Sequence, residues 1–216
     1  MTRPLLLGHR GARASHHIPE NTLASFELCL EHGCDGFEFD VRRSVDGAAV
    51  VCHDSVVREM EIAGTVGVDL ALPSFKSVLQ EFGSRAFLDI ELKVSGLERE
   101  TADLLSANQP GRGYVVSSFL PEVLETLHRL DATIPLGFIY DEPEQLERWR
   151  ELPVEWVIPK LTLAGRALIE EIHAARKKAM LWTVNTYDEL EKCSAWGADA
   201  LISDETAAAA KTLTRC

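Results

Sequence analysis

"GFEFDV", Gly36 to Val41, reads as a short buried strand in which two acids, Glu38 and Asp40, alternate with two phenylalanines. Alternate side chains of a strand point to the same side. Phe37 and Phe39 therefore face one way, and Glu38 and Asp40 share the other. Two carboxylates held side by side in a low-dielectric interior are costly unless a cation or a proton neutralises them. Something positive is expected on that face.

Seven more short apolar runs resemble this one: "LLLGH" (5–9), "AFLDIEL" (86–92), "YVVSS" (114–118), "PLGFIY" (135–140), "EWVIPK" (155–160), "AMLWTV" (179–184) and "DALISD" (199–204). Helical patterns lie between them. "NTLASFELCLEHG" starts at an N-cap candidate, Asn21, and stops at Gly33; "PEVLETLHRL", "EPEQLERWREL" and "AGRALIEEIHAARK" repeat the scheme. Eight strands alternating with eight helices predict parallel βαβ units and an α/β fold, the (β/α)8 TIM barrel, near the lower end of its size range. A doubly wound open sheet is the competing arrangement, but no G-x-G-x-x-G follows the first strand. Residues 42–73 break the rhythm and read as a long second βα loop with room for a small hairpin. With no linker or low-complexity tract, the whole of 1–216 is expected to form a single compact domain.

The 216 residues are 46% apolar, enough for a substantial core, and carry a net charge of −12. That field repels nucleic acid and anionic lipid, so an anionic substrate would need local cations. No apolar run approaches the roughly 20 residues of a membrane span. The N-terminal apolar stretch is too short for a signal peptide, so a cytoplasmic location is expected. Five cysteines, Cys29, Cys34, Cys52, Cys193 and Cys216, fit neither a zinc spacing nor a disulfide framework and read as reduced thiols. The first two and Cys193 are expected to fill small core gaps.

Barrels of this kind place their chemistry at the C-terminal ends of the strands, and the unusual polar residues fall there. His9 and Arg10 end the first strand, Glu38 and Asp40 the second, and His53 and Asp54 follow in its loop. In the third, Asp89, Glu91 and Lys93 alternate with Ile90 and Leu92, so all three face the axis. Ser117 ends the fourth strand; Trp182 and Asn185 end the seventh. Glu38, Asp40 and Glu91 offer only oxygen, which suits a hard cation such as Mg2+ or Ca2+. A buried salt-bridge network with Arg42, Arg43 or Lys93 is the competing arrangement; the periodicity on two adjacent strands favours metal. His9 and His53 beside an acidic cluster suit acid/base catalysis, because imidazole titrates near neutrality. Arg10 and Lys93 suit a phosphoryl group. His16, His17, His32, His128 and His173 have no such setting and read as surface or structural.

The motifs "GHRGA" (8–12), "PENT" (19–22), "FEFDV" (37–41), "VVCHD" (50–54), "LDIELK" (88–93), "WTVN" (182–185) and "GADALISD" (197–204) resemble, in order, those of the glycerophosphodiester phosphodiesterase family. The resemblance spans nearly the whole chain. It implies a barrel that cleaves small-molecule glycerophosphodiesters to glycerol 3-phosphate and an alcohol, using a divalent metal, Mg2+ or Ca2+, in lipid and glycerol metabolism. By motif position His9 and His53 take the place of the acid/base pair, Glu38, Asp40 and Glu91 that of the metal ligands, and Arg10 and Lys93 that of the phosphate-binding cations. Trp182 reads as a substrate-facing wall, Asn185 as cap or site residue, and Ser203 has no catalytic part. The attacking group is either the glycerol 2-hydroxyl, through a cyclic phosphate, or water. The short second loop implies that the family's larger inserted cap is missing. "SVVREMEIAGTVGVDL" departs from the basic, threonine- and glycine-rich stretch usual after the H-D pair. A lipid phosphodiesterase, lysophospholipase D-like or sphingomyelinase D-like, is the alternative enzyme; a non-catalytic phosphodiester-binding barrel is the contrasting class.

Overall fold

The computed structural model describes residues 3–213. The first half contains strands β1 (Leu5–Gly8), β2 (Gly36–Arg43), β3 (Ala49–Val51), β4 (Val56–Val57), β5 (Met60–Glu61) and β6 (Phe87–Leu92), with helices α1 (Leu23–Glu31) and α2 (Phe75–Phe82). The second half adds α3 (Glu98–Ala107), β7 (Tyr114–Ser118), α4 (Pro121–Leu130), β8 (Leu136–Tyr140), β9 (Trp156–Pro159), α5 (Arg166–Ala174), β10 (Lys178–Leu181), α6 (Tyr187–Trp196), β11 (Ala200–Ser203) and α7 (Thr206–Leu213). Strands run β1–β11–β10–β9–β8–β7–β6–β2, and a parallel β1–β2 pairing closes the ring. The expected (β/α)8 barrel is therefore present as a closed parallel barrel of eight strands.

Phe37 and Phe39 point outward as their alternation requires. Phe26 of α1 stacks on Phe37 with ring centroids 4.2 Å apart, and Phe82 of α2 meets Phe37 edge-on at 5.2 Å. Burying each such ring contributes roughly 1.5–3 kcal/mol, so this aromatic layer fixes β2 against two helices. The barrel's inside is filled by Leu7, Phe87, Val115, Ile139, Trp156, Ile158, Met180, Ala200 and Ile202. Below the mouth it is a plug, not a pore. Gly36 makes the β2 entrance possible: a Cβ there would lie 1.8 Å from the Phe87 carbonyl oxygen, closer than any atom pair tolerates.

Two expected elements differ. Helix α1 is capped by Thr22, whose hydroxyl accepts from the Ser25 N–H at 3.2 Å, not by Asn21. Asn21 adopts a left-handed φ of 56° and turns its side chain toward the barrel. "EPEQLERWREL" forms two 3-10 turns, Pro143–Gln145 and Arg148–Arg150, in place of a helix. There the Gln145 side-chain oxygen accepts from the Glu142 N–H at 3.2 Å, tightening the first turn, and the buried Trp149 pins the second. The second loop contains more strand than expected. Strand β3 turns back antiparallel to β2, and β4 and β5 form a separate small hairpin. Cys29, Cys34 and Cys193 are buried, free thiols; Cys216 lies outside the described residues. No helix among the described residues is long and apolar enough to cross a membrane.

Candidate active site

The C-terminal mouth of the barrel opens a cavity of about 220 Å3 lined on one side by His9, Arg10, Glu38, His53, Asp89, Glu91 and Lys93. Strand register sets this wall. Glu38 of β2 sits beside Asp89 of β6, and Asp40 beside Glu91, so the two strands present four carboxylates on the inner face. All four are buried.

Their partners are unequal. Asp40 is the best held: Asn21 Nδ2 donates to it at 2.8 Å, while Lys93 Nζ and Arg10 Nε each stand 3.3 Å away. Burial pushes Asp40 up, but Lys93, Arg10 and the Asn21 bond outweigh it and leave it below the usual carboxylate range. Glu91 pairs with Lys93 at 2.6 Å, and Asp89 accepts from the Ser117 hydroxyl at 2.5 Å. Burial still pushes both up to about 7. Glu38 accepts only the Arg10 backbone N–H, at 2.9 Å; its other oxygen is buried without a hydrogen bond. Burial, then repulsion from Asp40, Glu91 and Asp89, drives Glu38 well above its ordinary value.

The cations at the cluster are fewer than its acids. Arg10 and Lys93 supply two positive charges to four carboxylates, and Arg10 also pairs with Glu20 at 2.7 Å. Arg42 does not join: its Nε donates to the His53 carbonyl at 2.7 Å. Fully ionised, the cluster would carry two negative charges more than Arg10 and Lys93 supply, an excess that protons meet on the raised Glu38, Asp89 and Glu91 and that a divalent cation can meet in their place. Glu38, Asp40 and Glu91 bring their oxygens within 4.8 Å of one another, all buried. An all-oxygen donor set with one oxygen left unpaired fits a hard divalent cation.

The two histidines flank this cluster in matching ways. His9 Nδ1 meets Asp204 Oδ1 at 2.7 Å, and His53 Nδ1 meets Asp54 Oδ1 at 2.8 Å. Each carboxylate fixes the ring and directs the proton to Nδ1, leaving Nε2 for the cavity. His9 Nε2 lies 3.9 Å from Glu38. Burial lowers His9 despite the opposing Asp204 bond. Asp204 itself lies well below the usual range: bonds from His9, Asn185 and Arg13 outweigh its burial. Asn185 Nδ2 holds the far Asp204 oxygen at 2.8 Å, and Asn185 Oδ1 accepts the Asp204 N–H at 2.9 Å. Asn185 is thus the support of a support, and Ser203, which donates to it at 3.3 Å, stays out of the cavity.

The candidate catalytic, metal-ligating and phosphate-binding residues thus gather at the mouth. His9, His53, Glu38, Glu91, Arg10, Lys93 and Trp182 line the cavity, and Asp40 lies just behind them in the acidic cluster. Sequence reasoning missed Asp204, Asn21, Glu20 and Arg13. "PENT" and the last strand's Ser-Asp ending held the signal. The other histidines are elsewhere: His16, His17, His128 and His173 are exposed, and His32 bonds Thr206 at 2.8 Å.

Buried acids, two carboxylate-oriented imidazoles and two cations gather around one barrel mouth, an arrangement able to hold a divalent cation and to move protons at one point. Comparison with known proteins gives the family. The Glycerophosphoryl diester phosphodiesterase family model matches residues 9–94 and 89–208. A glycerophosphodiester phosphodiesterase of Caldanaerobacter subterraneus is 25% identical, over 94% of this chain and 95% of its own length. A phosphodiesterase of Oleispira antarctica, solved in complex with the product sn-glycerol-3-phosphate, superposes with a TM-score of 0.85 at 25% identity, covering 98% of this chain and 97% of that one. A glycerophosphodiester phosphodiesterase from Parabacteroides distasonis shares the fold at a TM-score of 0.87 and 20% identity, over 99% and 98% of the two chains. The chain belongs to the glycerophosphoryl diester phosphodiesterase family and is an enzyme of that class.

Proposed function

We propose that the protein hydrolyses glycerophosphodiesters to glycerol 3-phosphate and an alcohol, with His9 and His53 as the acid/base pair. The carrying observation is the paired geometry: two imidazoles, each anchored through Nδ1 by a carboxylate, beside a buried acidic cluster in one cavity. Glu38, Asp40 and Glu91 would hold a divalent cation, Mg2+ or Ca2+, which when bound supplies positive charge to the phosphoryl oxygens. Arg10 and Lys93 stand at the same wall and add to that stabilisation as charge develops. A phosphodiester is anionic at neutral pH and repels a nucleophile, so this charge is the largest contribution the site makes.

His9 is the better base. Burial keeps it neutral at pH 7, and the Asp204 bond leaves the Nε2 lone pair free to take a proton from the attacking hydroxyl. That hydroxyl belongs to water, or to the glycerol moiety itself, in which case the cyclic phosphate formed is opened by water in a second step to give glycerol 3-phosphate. His53, more open to solvent, enters the step as the imidazolium, its Nδ1–H held by Asp54, and gives its Nε2 proton to the departing alkoxide.

The test is release of glycerol 3-phosphate from glycerophosphodiesters by the wild type, His9→Ala and His53→Ala. Each variant should lose on the order of 10²–10⁴ in kcat while keeping its fold by circular dichroism. Undiminished turnover in either variant refutes the assignment of that histidine.

A further inference from the structure

We propose that the cavity's second wall is a subsite for a positively charged alcohol, with Asp141 as its specificity-determining residue. This rests on the hydrolytic reading above and names the substrate class. Across the mouth from the acidic cluster, the strand ends and the residues just beyond them place Phe119, Ile158, Trp182 and Ile202 around the cavity, and one carboxylate, Asp141, follows β8 among them. Every other acid lining the cavity accepts a hydrogen bond or an ion pair from the protein. The Asp141 carboxylate does neither. Its backbone N–H donates to Gln145 at 3.4 Å, which holds the residue at the rim without engaging its charge. Lys160, at the end of the neighbouring β9, neither lines the cavity nor pairs with it. A part-exposed carboxylate that no protein cation engages, in an otherwise apolar wall, is free to pair with a cation brought in from outside.

The surroundings indicate what kind of cation. Trp182 and Phe119 meet edge to face with centroids 5.7 Å apart, and Trp182 is held by its Nε1–H bond to the Ile158 carbonyl at 3.1 Å. Fixed aromatic rings beside a carboxylate attract an organic ammonium through both cation–π and ion-pair terms. A bulky, weakly hydrated quaternary ammonium loses least water on entering. Lys93 lies 5.6 Å from the Phe119 centroid but is already paired with Glu91 and Asp40, so it does not compete for Asp141. The wall therefore favours diesters whose alcohol carries an ammonium, choline above all, over those of uncharged polyols.

The experiment compares wild type with Asp141→Asn on glycerophosphocholine, glycerophosphoethanolamine and glycerophosphoglycerol. The variant should lower the ratio of kcat/KM for glycerophosphocholine over glycerophosphoglycerol about tenfold, chiefly through KM, as expected for one partly exposed ion pair with an aromatic contribution. An equal effect on all three diesters, or none, overturns the proposal. Calorimetric titration of glycerophosphocholine into both proteins in chelator reads the subsite without turnover. About tenfold weaker binding in the variant supports the subsite even where wild type cleaves no diester, an outcome that would sink the hydrolytic reading alone; equal binding refutes the subsite.

Discussion

His9 is oriented by a residue 195 positions further along the chain. No local pattern reveals such a partner. The histidines, acids and cations were legible because strand alternation and the strand-end rule need only nearby residues. Asp204 was not, nor was the inward turn of Asn21, because their work depends on barrel closure. Asp204→Asn tests that dependence: with the His9 tautomer released, kcat should fall by roughly 10²–10⁴. Losing nothing in kcat would leave Asp204 only a structural part. The acids also set a pH dependence. Asp89 and Glu91 are raised to about 7 from carboxylate values near 4. The folded state thus holds protons that the unfolded chain releases, and stability declines as pH rises from about 4 to about 7. In chelator, Tm should fall across that window. Added Mg2+ or Ca2+ should raise Tm more at pH 8 than at pH 5, because the cation competes with those protons. A flat Tm in chelator, or a cation effect larger at pH 5, contradicts this.

Strand β2 combines an aromatic outer face with an acidic inner one, and its sequence announces both. That pattern was readable because a period of two leaves no ambiguity about sides. Phe37→Ala should cost about 3–5 kcal/mol in denaturant unfolding, since its ring is fully buried between α1 and α2. Thr22→Ala, removing the α1 cap, should cost about 1 kcal/mol; no change would return that cap to Asn21. Element ends were less legible. Asn21 and Thr22 are both good caps, and only the demand of Asp40 for a donor decides which turns inward. "EPEQLERWREL" has helical composition, but Gln145 and Trp149 commit it to tight turns whose purpose is anchorage. Its neighbour Asp141 went unremarked for the same reason: a rim acid after a strand resembles any surface acid until the cavity is seen.

At the scale of the molecule, eight repeats of strand and helix made the barrel legible, since few folds alternate so regularly. The long second loop was legible only as an interruption; its antiparallel β2–β3 pairing depends on contacts that no periodicity encodes. The net charge of −12 opposes the approach of an anionic diester, and Arg10 and Lys93 offer it positive charge only once it has reached the mouth. Raising ionic strength from about 0.01 to 0.1 M should therefore raise kcat/KM for glycerophosphoglycerol by a factor on the order of 2, and leave the zwitterionic glycerophosphocholine nearly unchanged. A fall for the anionic substrate would show that the local cations dominate at long range. The central claim is that Glu38, Asp40 and Glu91 hold a divalent cation on which the histidine chemistry depends. Its most direct test is glycerol 3-phosphate release measured in chelator and again after Mg2+ or Ca2+ is restored, for wild type and Glu38→Gln. Turnover should cease in chelator and return on restoration, with at least about tenfold weaker cation activation in the variant. Full turnover in chelator, or a variant activated like wild type, would contradict it.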